Sequence, residues 1–402
     1  MLHVQVCHIE FPAAPRPNGK PRPTFEVRNV VSVTVESSWR NLTGKATVQL
    51  AAHHLFQMQE QGINDWLRPG DPIEIGLGYD TILVREFIGY IAEIKAGIPV
   101  EIVCQDEMYL LKRRPVNRSY PSVTVRQLLH DICPAGTRIN AVEADLGHFK
   151  AANATVAKVL EKLREQYGFV SYIRNSILYC GRVYREPRTR RPAMFQFEQH
   201  VLDNQLTFRT ADNLKFIVKA TSHGPKGKKI EVTVGDLNDP AAEQRTLQYY
   251  GLSSEAQLRA YAQADLVKLK KAGYEGHFTT YGLVFVADRA TNTIIASNDS
   301  VTTGTVHYND HDDILIGGVH YSVVELRDNE DKVEAVIPFR IVTNDEDTTF
   351  GSVQHGQIVR LVSTQYPERN GDFFVDAVKK TFSSGGYRQE ITVGSAASLR
   401  GL

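Results

Sequence analysis

The side chains with the clearest capacity for chemistry form an acidic cluster in a predicted turn. Asn309, Asp310, His311, Asp312 and Asp313 stand together and offer the hard oxygen ligands that calcium prefers. An EF-hand loop needs alternating acidic residues, a central glycine and a closing glutamate, and this stretch does not have that order. We interpret the cluster as a solvated hairpin tip.

Two further stretches could bind a metal or a phosphate group. His53 and His54 are adjacent, so their side chains point apart in a helix or a strand. We therefore expect one of them to be exposed and not to bind a metal. The stretch "SHGPKGKK" at 222–229 has the composition of a phosphate loop but lacks the GxxxxGK[ST] order. We therefore expect no metal and no cofactor.

Catalytic motifs are not evident either. The sequence contains no GxSxG, Walker or HExxH motif. The four cysteines, which form no CxxC pair and indicate neither a zinc site nor a disulfide framework, are Cys7, Cys104, Cys133 and Cys180. The 46 acidic residues still leave room for a glycosidase-type carboxylate pair, because sequence spacing does not constrain such a pair.

The overall charge argues against nucleic acid as the main partner. Lys plus Arg and Asp plus Glu both number 46, so the formal net charge is zero and we expect no sequence-specific nucleic acid binding. Arg-rich segments at 111–118 and 181–192 are interpreted as exposed linkers, with an acidic protein surface as the alternative partner. The amino-terminal stretch lacks the pattern of a signal peptide, and no run approaches the ~18 apolar residues of a membrane span. We expect a protein that is soluble when made and has no membrane partner.

The elements that must position these side chains are mostly strands. Residues 1–115 alternate apolar and polar positions between turn clusters, which predicts a small antiparallel barrel or sandwich. The alternating positions are Val31, Val33, Val35; Ala46, Val48, Leu50; Ile73, Ile75, Leu77; Ile88, Tyr90, Ala92, Ile94; and Val100, Ile102, Cys104.

A small α/β module is predicted at 116–190. Val156, Val159, Leu160, Leu163 and Tyr167 lie on one face of a helix. Asn153 or Thr155 can cap that helix and Gly168 ends it, a shorter helix is expected at 123–132, and a hairpin at 169–181.

A second β domain is predicted at 191–282 and 350–402, with a helix at 253–272. Ser254 and Gln257 have capping-box spacing, and the apolar stripe of this helix is expected to pack on the second barrel. The stripe consists of Leu258, Ala262, Leu266 and Leu269. Because "TTYG" at 279–282 is nearly repeated as "TTFG" at 348–351, we interpret 283–349 as an inserted β-rich subdomain, with chance recurrence as the alternative.

The chain closes on an explicit hairpin at 366–394. Phe373, Val375 and Ala377 are predicted to share one face of the first strand. After a Gly-Gly turn, the second strand alternates through Tyr387, Gln389, Ile391 and Val393. We expect this hairpin to close the second β domain.

The order of these blocks resembles the baseplate hub proteins of tailed phages and contractile injection systems, the late control D family, which is related to the hub part of VgrG. The resemblance rests on "SSWRNLTGKATVQL" at 37–50, the stretches at 87–113, 149–181 and 251–282, and the hairpin with its "YPERNG" and "GGYRQ". It covers most of the chain outside 283–349.

The resemblance implies a mainly β fold with α+β modules. Two tail-tube-like β-barrel domains would occupy 1–115 and 191–282 plus 350–402, with a small α/β domain at 116–190 and the inserted subdomain at 283–349. Three subunits would close a ring with sixfold pseudosymmetry between a hexameric tail tube and a trimeric central spike. The seven residues expected to serve structure and assembly are Leu258, Leu266, Leu269, Phe373, Val375, Tyr387 and Ile391.

The implied partners are a second and third copy of the chain, the tail tube protein, a separate spike protein, and tape-measure and baseplate wedge proteins. The implied location is the bacterial cytoplasm during assembly and then the baseplate of a virion tail or an injection device. No catalytic residue is expected. The alternatives are a tail-tip peptidoglycan or polysaccharide hydrolase and a host-carbohydrate-binding tail protein, both of which would use the 283–349 insert.

Overall fold

The computed structural model describes residues 5–17, 19–51, 66–79, 82–95, 97–181, 193–210, 214–223, 229–250, 252, 254–270, 273–280, 283–288, 293–297, 307–308, 313–316, 319–322, 325–329, 332–337 and 353–399. Between 283 and 337 the description is limited to the backbone of the strands.

The described chain is mainly β, which confirms the predicted fold class. The strands are β1 (Gln5–Phe11), β2 (Phe25–Val27), β3 (Ser32–Ser38), β4 (Lys45–Leu50), β5 (Pro72–Tyr79), β6 (Ile82–Lys95), β7 (Val100–Asp106), β8 (Pro115–Tyr120), β9 (Arg138–Ala141), β10 (Phe149–Thr155), β11 (Val170–Arg174), β12 (Ile177–Gly181), β13 (Ala193–Gln196), β14 (Val201–Arg209), β15 (Phe216–His223), β16 (Lys229–Gly235), β17 (Glu243–Tyr250), β18 (Gly273–Thr280), β19 (Leu283–Asp288), β20 (Thr293–Ser297), β21 (His307–Tyr308), β22 (Asp313–Ile316), β23 (Val319–Ser322), β24 (Glu325–Asn329), β25 (Lys332–Ile337), β26 (Ile358–Val362), β27 (Gly371–Ser383) and β28 (Gly386–Leu399).

Five α-helices are described. They are α1 (Met108–Arg113), α2 (Val125–Ile132), α3 (Val156–Tyr167), α4 (Phe197–His200) and α5 (Glu255–Leu269), and a short 3-10 helix covers Pro367–Arg369. Strand β13 leads directly into α4, so a short helix interrupts the strands of the predicted second β domain. No helix in the described ranges is long and apolar enough to span a membrane.

One continuous sheet joins strands from both ends of the chain. Its hydrogen-bonded order is β14-β18-β28-β27-β3-β4-β7-β6-β5-β1-β2, and β26 pairs with β27 and β13 beside this path. We call β1–β7 the N-terminal β domain, and β13, β14, β18 and β26–β28 the C-terminal β domain. The antiparallel pairing of β27 with β3 connects the two domains.

The N-terminal β domain buries the inward face of its strands, as the alternation of apolar residues requires. Val33, Val48 and Ile75 are fully buried in its core. In β6 the predicted face is inverted, because Phe87 and Ile91 point inward while Ile88 and Tyr90 are only half-buried. A register shift between Ile91 and Glu93 changes the alternation at this point.

Residues 108–181 form a compact α/β domain with its own core. Helix α2 begins with a capping box in which the Thr124 hydroxyl accepts from the Gln127 amide. Helix α3 begins at Thr155, whose hydroxyl accepts from Lys158 N, and ends at Gly168 in the left-handed conformation with φ 67°. Strands β11 and β12 form the predicted hairpin and pair with β9.

Helix α5 packs on a sheet of its own. Strands β16, β15 and β17 form a three-stranded sheet that is separate from the large one, and α5 lies against β15 and β16. The expectation that this helix packs on the second barrel is therefore wrong. Leu258 is fully buried against the small sheet, whereas Leu266 and Leu269 are half-buried.

Strands from the predicted insert form two small sheets. The order of one is β20-β19-β25-β24, the other is β21-β22-β23, and within the described ranges both are separate from the large sheet. The repeated strings that suggested an insertion lie mostly outside the described residues, since 281–282 and 348–351 are not covered.

Candidate functional site at the domain junction

Two hydrophobic cores share the hairpin formed by β27 and β28. The hairpin side chains that lie in the core of the C-terminal β domain are Phe373, Val375, Val378, Ile391 and Val393. Near the turn, Phe382 and Tyr387 lie in the core of the N-terminal β domain instead. The prediction that the whole hairpin belongs to the second β domain is therefore wrong for its turn end, where the Tyr387 ring is fully buried among N-terminal residues.

The hairpin passes from one domain to the other through a run of β-bulges. Residues 371–374 of β27 pair with β26, whereas residues 377–383 pair with β3. Register shifts between Asp372 and Ala377 in the pairing with β28 separate these two stretches. An extra residue in a bulge inverts the inward and outward alternation, so Val378 is buried and Ala377 is only half-buried, contrary to the prediction for Ala377.

An ion pair is buried where the hairpin enters the N-terminal β domain. Lys380 Nζ donates to the Glu86 carboxylate, and the Tyr387 hydroxyl donates to the other oxygen of that carboxylate at 2.8 Å. The side chains of Lys380 and Glu86 are 5% and 1% exposed. Burial lowers the pKa of Lys380, and the neighbouring carboxylate opposes this shift. Because β3, β4 and β7 separate β6 from β27 in the sheet, the pair reaches across the interior of the domain.

A second polar contact lies at the bulge itself. The buried carboxylate of Asp376 accepts from Trp39 Nε1 at 2.8 Å and from the Arg40 guanidinium at 2.6 Å. Arg164 in α3 donates to the Arg40 carbonyl at 2.5 Å. The same corner therefore joins the hairpin, the N-terminal β domain and the α/β domain.

The turn between β11 and β12 contacts the loop before β26. Asn175 and Ser176 both have positive φ, 49° and 56°, in this turn. Arg174 Nη1 donates to the His355 carbonyl at 2.8 Å, and Gln354 Nε2 donates to Asn175 Oδ1 at 3.3 Å. The α/β domain thus touches the C-terminal β domain through a few polar bonds.

A cavity of about 410 Å³ lies where the three domains meet. The residues that line it are Val35, Glu36, Ser37, Gly44, Val84, Arg85, Glu86, Phe87, Ile88, Asp106, Glu107, Arg138, Ile173, Arg174, Asn175, Ser176, Gln354, His355, Val378 and Lys380. The acids of its walls come from the N-terminal β domain and the start of α1, whereas the charged residues supplied by the other two domains are all cations. We call this region the junction cavity.

Burial perturbs the acids of the junction cavity. It raises the pKa of Asp106 to about 7, although that carboxylate accepts from the amides of Gly44 at 2.6 Å and Met108 at 3.0 Å. It also raises the pKa of Glu107, and a hydrogen bond with Ser176 opposes the shift. Perturbed acids in a cavity are typical of functional sites, but they occur in structural networks as well. Here most of the charged groups are bound to groups in other elements, so the arrangement can hold three domains at fixed positions.

The seven residues predicted to serve structure and assembly separate into two groups. Phe373, Val375 and Ile391 lie together in the C-terminal core, and Tyr387 lies in the N-terminal core next to the junction cavity. The three leucines of α5 lie in the small three-stranded sheet unit. The structure does not bring the two groups into one site.

Several residues considered for chemistry lie outside the described ranges. These are His53, His54, Asn309, Asp310, His311 and Asp312, together with 182–192, 224–228 and 341–350. The backbone of Asp313 begins β22. Among the described residues, no group of three or more His, Cys, Asp or Glu side chains could hold a metal ion.

Sequence reasoning missed Glu86, His355, Asp376 and Lys380. One signal was available for Lys380, which stands at an inward position of a strand between Val378 and Phe382. A lysine at such a position needs a buried anionic partner. The sequence does not show which acid is that partner, because Glu86 is almost 300 residues away in the chain.

No protein-family model matches the chain, and no curated protein matches it in sequence. Two solved structures match it over nearly their whole length. The tail protein of Neisseria meningitidis MC58 matches with a TM-score of 0.53 and 12% identity, covering 97% of this chain and 96% of that one. The 43 kDa tail protein of prophage MuSo2 from Shewanella oneidensis matches with a TM-score of 0.53 and 10% identity, covering 97% and 98%. The resemblance to phage tail proteins inferred from the sequence blocks is thus confirmed at the level of the fold.

Proposed function

We propose that this protein is a structural hub of a phage tail or a related injection device and has no catalytic activity. The observation that carries the proposal is the fold it shares with two tail proteins over almost the whole of each chain. Fold does not dictate function, so the proposal needs support from the structure itself. That support is the junction, which fixes two β domains and an α/β domain in one subunit.

In the proposed assembly, three subunits form a ring with sixfold pseudosymmetry. Each subunit supplies two β domains, so three subunits present six comparable β domains to a hexameric tail tube. The same ring presents three identical subunits to a trimeric central spike. The shared hairpin holds the two β domains at a set distance. We further propose tape-measure and baseplate wedge proteins as neighbours, and a location in the bacterial cytoplasm during assembly and in the baseplate afterwards.

The free edge of β14 is the proposed contact between subunits. The strand path of the large sheet ends at β14, whose only described partner is β18. Most side chains of β14 are exposed, and Leu202 is 46% exposed. A nine-residue edge of this kind is an aggregation hazard unless another chain covers it. A strand of the neighbouring subunit would cover it in the ring.

Light scattering coupled to size exclusion tests the assembly. We expect a mass of three times 45.0 kDa. Leu202→Asp should shift the protein toward the monomer, whereas Leu237→Asp, at an exposed position outside the large sheet, should not. A monomer at every concentration, together with turnover of peptidoglycan fragments, would overturn the proposal in favour of a tail-tip hydrolase.

The domain limits are proposed as 1–115, 116–190, 191–282 plus 350–402, and the insert 283–349, with α1 assigned to the α/β domain because Met108 and Leu111 lie in its core. Joining residue 282 to residue 350 should leave the oligomer and the unfolding transition of the rest of the chain unchanged. Failure of that variant to fold would show that the insert belongs to the core of the second β domain.

A further inference from the structure

The junction cavity holds a histidine whose ring nitrogens are buried and have no hydrogen-bond partner among the described residues. His355 is 3% exposed, and neither of its ring nitrogens makes a hydrogen bond to another described residue. The Tyr172 ring lies edge-on to it at 4.6 Å between centroids. A buried imidazole in such surroundings is favoured in its neutral form, because a charge there would lose its hydration.

The nearest charges disfavour a proton on His355. Burial, and then the cations Arg174 and Lys380, lower the pKa of His355 to about 3. The guanidinium of Arg174 is bound to the carbonyl of His355 itself, at 2.8 Å. A proton on the ring would therefore add a third positive charge beside two cations.

The anions of the junction cavity are already engaged. From the N-terminal β domain and the start of α1 the cavity is faced by Glu36, Arg85, Glu86, Asp106 and Glu107. From the other two domains it is faced by Arg138, Arg174 and Lys380. Lys380 and Tyr387 hold Glu86, the Gly44 and Met108 amides hold Asp106, Ser176 bonds Glu107, and Lys379 lies 3.8 Å from Glu36.

His355 is carried by a short loop, residues 354–357, which we call the latch loop. Two backbone bonds hold it to β27, from Gly356 N to the Val375 carbonyl at 2.7 Å and from Val375 N to the Gln357 carbonyl at 2.8 Å. The bonds from Arg174 and Gln354 hold it to the α/β domain. Moving this loop outward would place the imidazole in water, while Val353, which precedes the loop, stays buried in the C-terminal core.

We propose that the latch loop is an acid-released contact: protonation of His355 expels the loop from the junction cavity and parts the α/β domain from the C-terminal β domain at this point. The proposal does not depend on the role of the protein in a tail.

The direction and size of the effect follow from the histidine. The open state binds the proton more readily than the closed state, so opening is favoured as the pH falls below the ordinary pKa of 6.5. Between pH 7.5 and pH 5 the opening equilibrium should rise roughly 30-fold, and it should stop rising near pH 3. The titration of Asp106 does not offset this rise in the opening equilibrium. Its bonds to Gly44 and Met108 lie outside the latch loop and persist in both states.

Native-state hydrogen exchange of the full chain tests the proposal. After correction for the intrinsic rate at each pH, protection of the Gly356 and Val375 amides should fall about 30-fold from pH 7.5 to pH 5. The turn at 68–71 supplies an internal control, since Gly70 N donates to the Ile91 carbonyl at 2.7 Å and Ile91 N to the Asp71 carbonyl at 2.9 Å. Those two amides should keep their protection.

Variants separate the histidine from other sources of acid sensitivity. His355→Phe should abolish the loss of protection, whereas His130→Phe, at an exposed histidine of α2, should retain it. If His355→Phe does not fold, His355→Gln supplies another neutral side chain and should abolish the loss in the same way. Wild-type protection that does not change with pH, or an unchanged loss in His355→Phe or His355→Gln, would overturn the proposal.

Discussion

The two ends of the C-terminal hairpin connect to their domains with different chemistry. At the open end, Phe373 and Ile391 are buried among other apolar side chains of the C-terminal core. At the turn end, Lys380 and Tyr387 are buried on the Glu86 carboxylate. Apolar packing is non-directional and tolerates small displacements of the side chains, whereas a buried ion pair requires two particular atoms to meet. The difference indicates that the open end contributes most of the stability and the turn end determines the alignment.

Register explains why alignment matters at the turn end. A slip of one residue between β27 and β3 would turn Lys379 inward and carry Lys380 to the outside. Glu86 would then be buried without a cation, at a cost of several kcal/mol. We infer that the pair selects one docking of the two β domains, even though its net contribution to stability is small.

The largest loss of stability is expected from removing a buried ring at the open end of the hairpin. Phe373→Ala should lower the free energy of unfolding by about 4 kcal/mol, because it removes a fully buried ring and leaves a cavity. Phe374→Ala, at the adjacent half-buried position, should cost clearly less. Urea denaturation followed by circular dichroism measures both. Equal losses would show that the open end is not the apolar anchor described above.

Breaking the ion pair should lower the free energy of unfolding slightly less than Phe373→Ala does. Lys380→Met should lower the free energy of unfolding by about 3 kcal/mol, because Glu86 is left buried without its cation. The neighbouring Lys379→Met, with a side chain 47% exposed, should change it by less than about 0.5 kcal/mol.

The double variant Glu86→Leu with Lys380→Met sharpens the comparison. It should recover most of the stability lost in Lys380→Met, because no charge is then left buried. If the pair determines alignment, the recovered protein should show altered contacts between β27 and β3 by amide exchange. A native exchange pattern in the double variant would refute the alignment role.

The third expected effect depends on pH. The Asp106 pKa is raised from 3.8 to about 7 in the folded protein, so the unfolded chain ionises first and stability falls as the pH rises through this window. If half of this pKa shift is realised, the free energy of unfolding falls by about 2 kcal/mol across the window. The stability of Asp106→Asn should therefore fall less steeply than that of the wild type between pH 4 and pH 7. Parallel curves from urea titrations would show that Asp106 is ionised in the folded state.

The smallest effect is expected from the Tyr387 hydroxyl. Tyr387→Phe keeps the ring in the N-terminal core and removes the 2.8 Å bond to Glu86, which should cost about 1.5 kcal/mol. The measurement is again urea denaturation, with Tyr90→Phe on the half-buried face of β6 as a control. A loss as large as that of Lys380→Met would mean that the hydroxyl, and not the cation, is the principal partner of Glu86.

Much of the fold could be predicted because it depends on local patterns. Helix α3 with its Thr155 cap and Gly168 end, and the alternation of Ile391 and Val393 in β28, are signals that lie within a few residues of each other. The bulges at 372–377 give no such signal, since any residue type fits them, and they changed the inward side from Ala377 to Val378.

The junction was beyond sequence reasoning for a different reason. Each of its contacts joins residues far apart in the chain, such as Trp39 with Asp376 and Arg174 with His355. Local propensity does not determine which distant charges meet. The packing of α5 on its own small sheet was missed on the same grounds, because an apolar stripe specifies that a partner exists but not which sheet supplies it.

The position of the shared hairpin in the chain has a consequence for synthesis. The N-terminal core contains Phe382 and Tyr387, and β3 pairs with β27, so this core is incomplete until Tyr387 has left the ribosome. Long-range pairing of this kind slows folding, and it leaves the edge of β3 uncovered in the nascent chain. Completion of the N-terminal core therefore requires residues that are translated long after its other strands, which couples the folding of the two β domains.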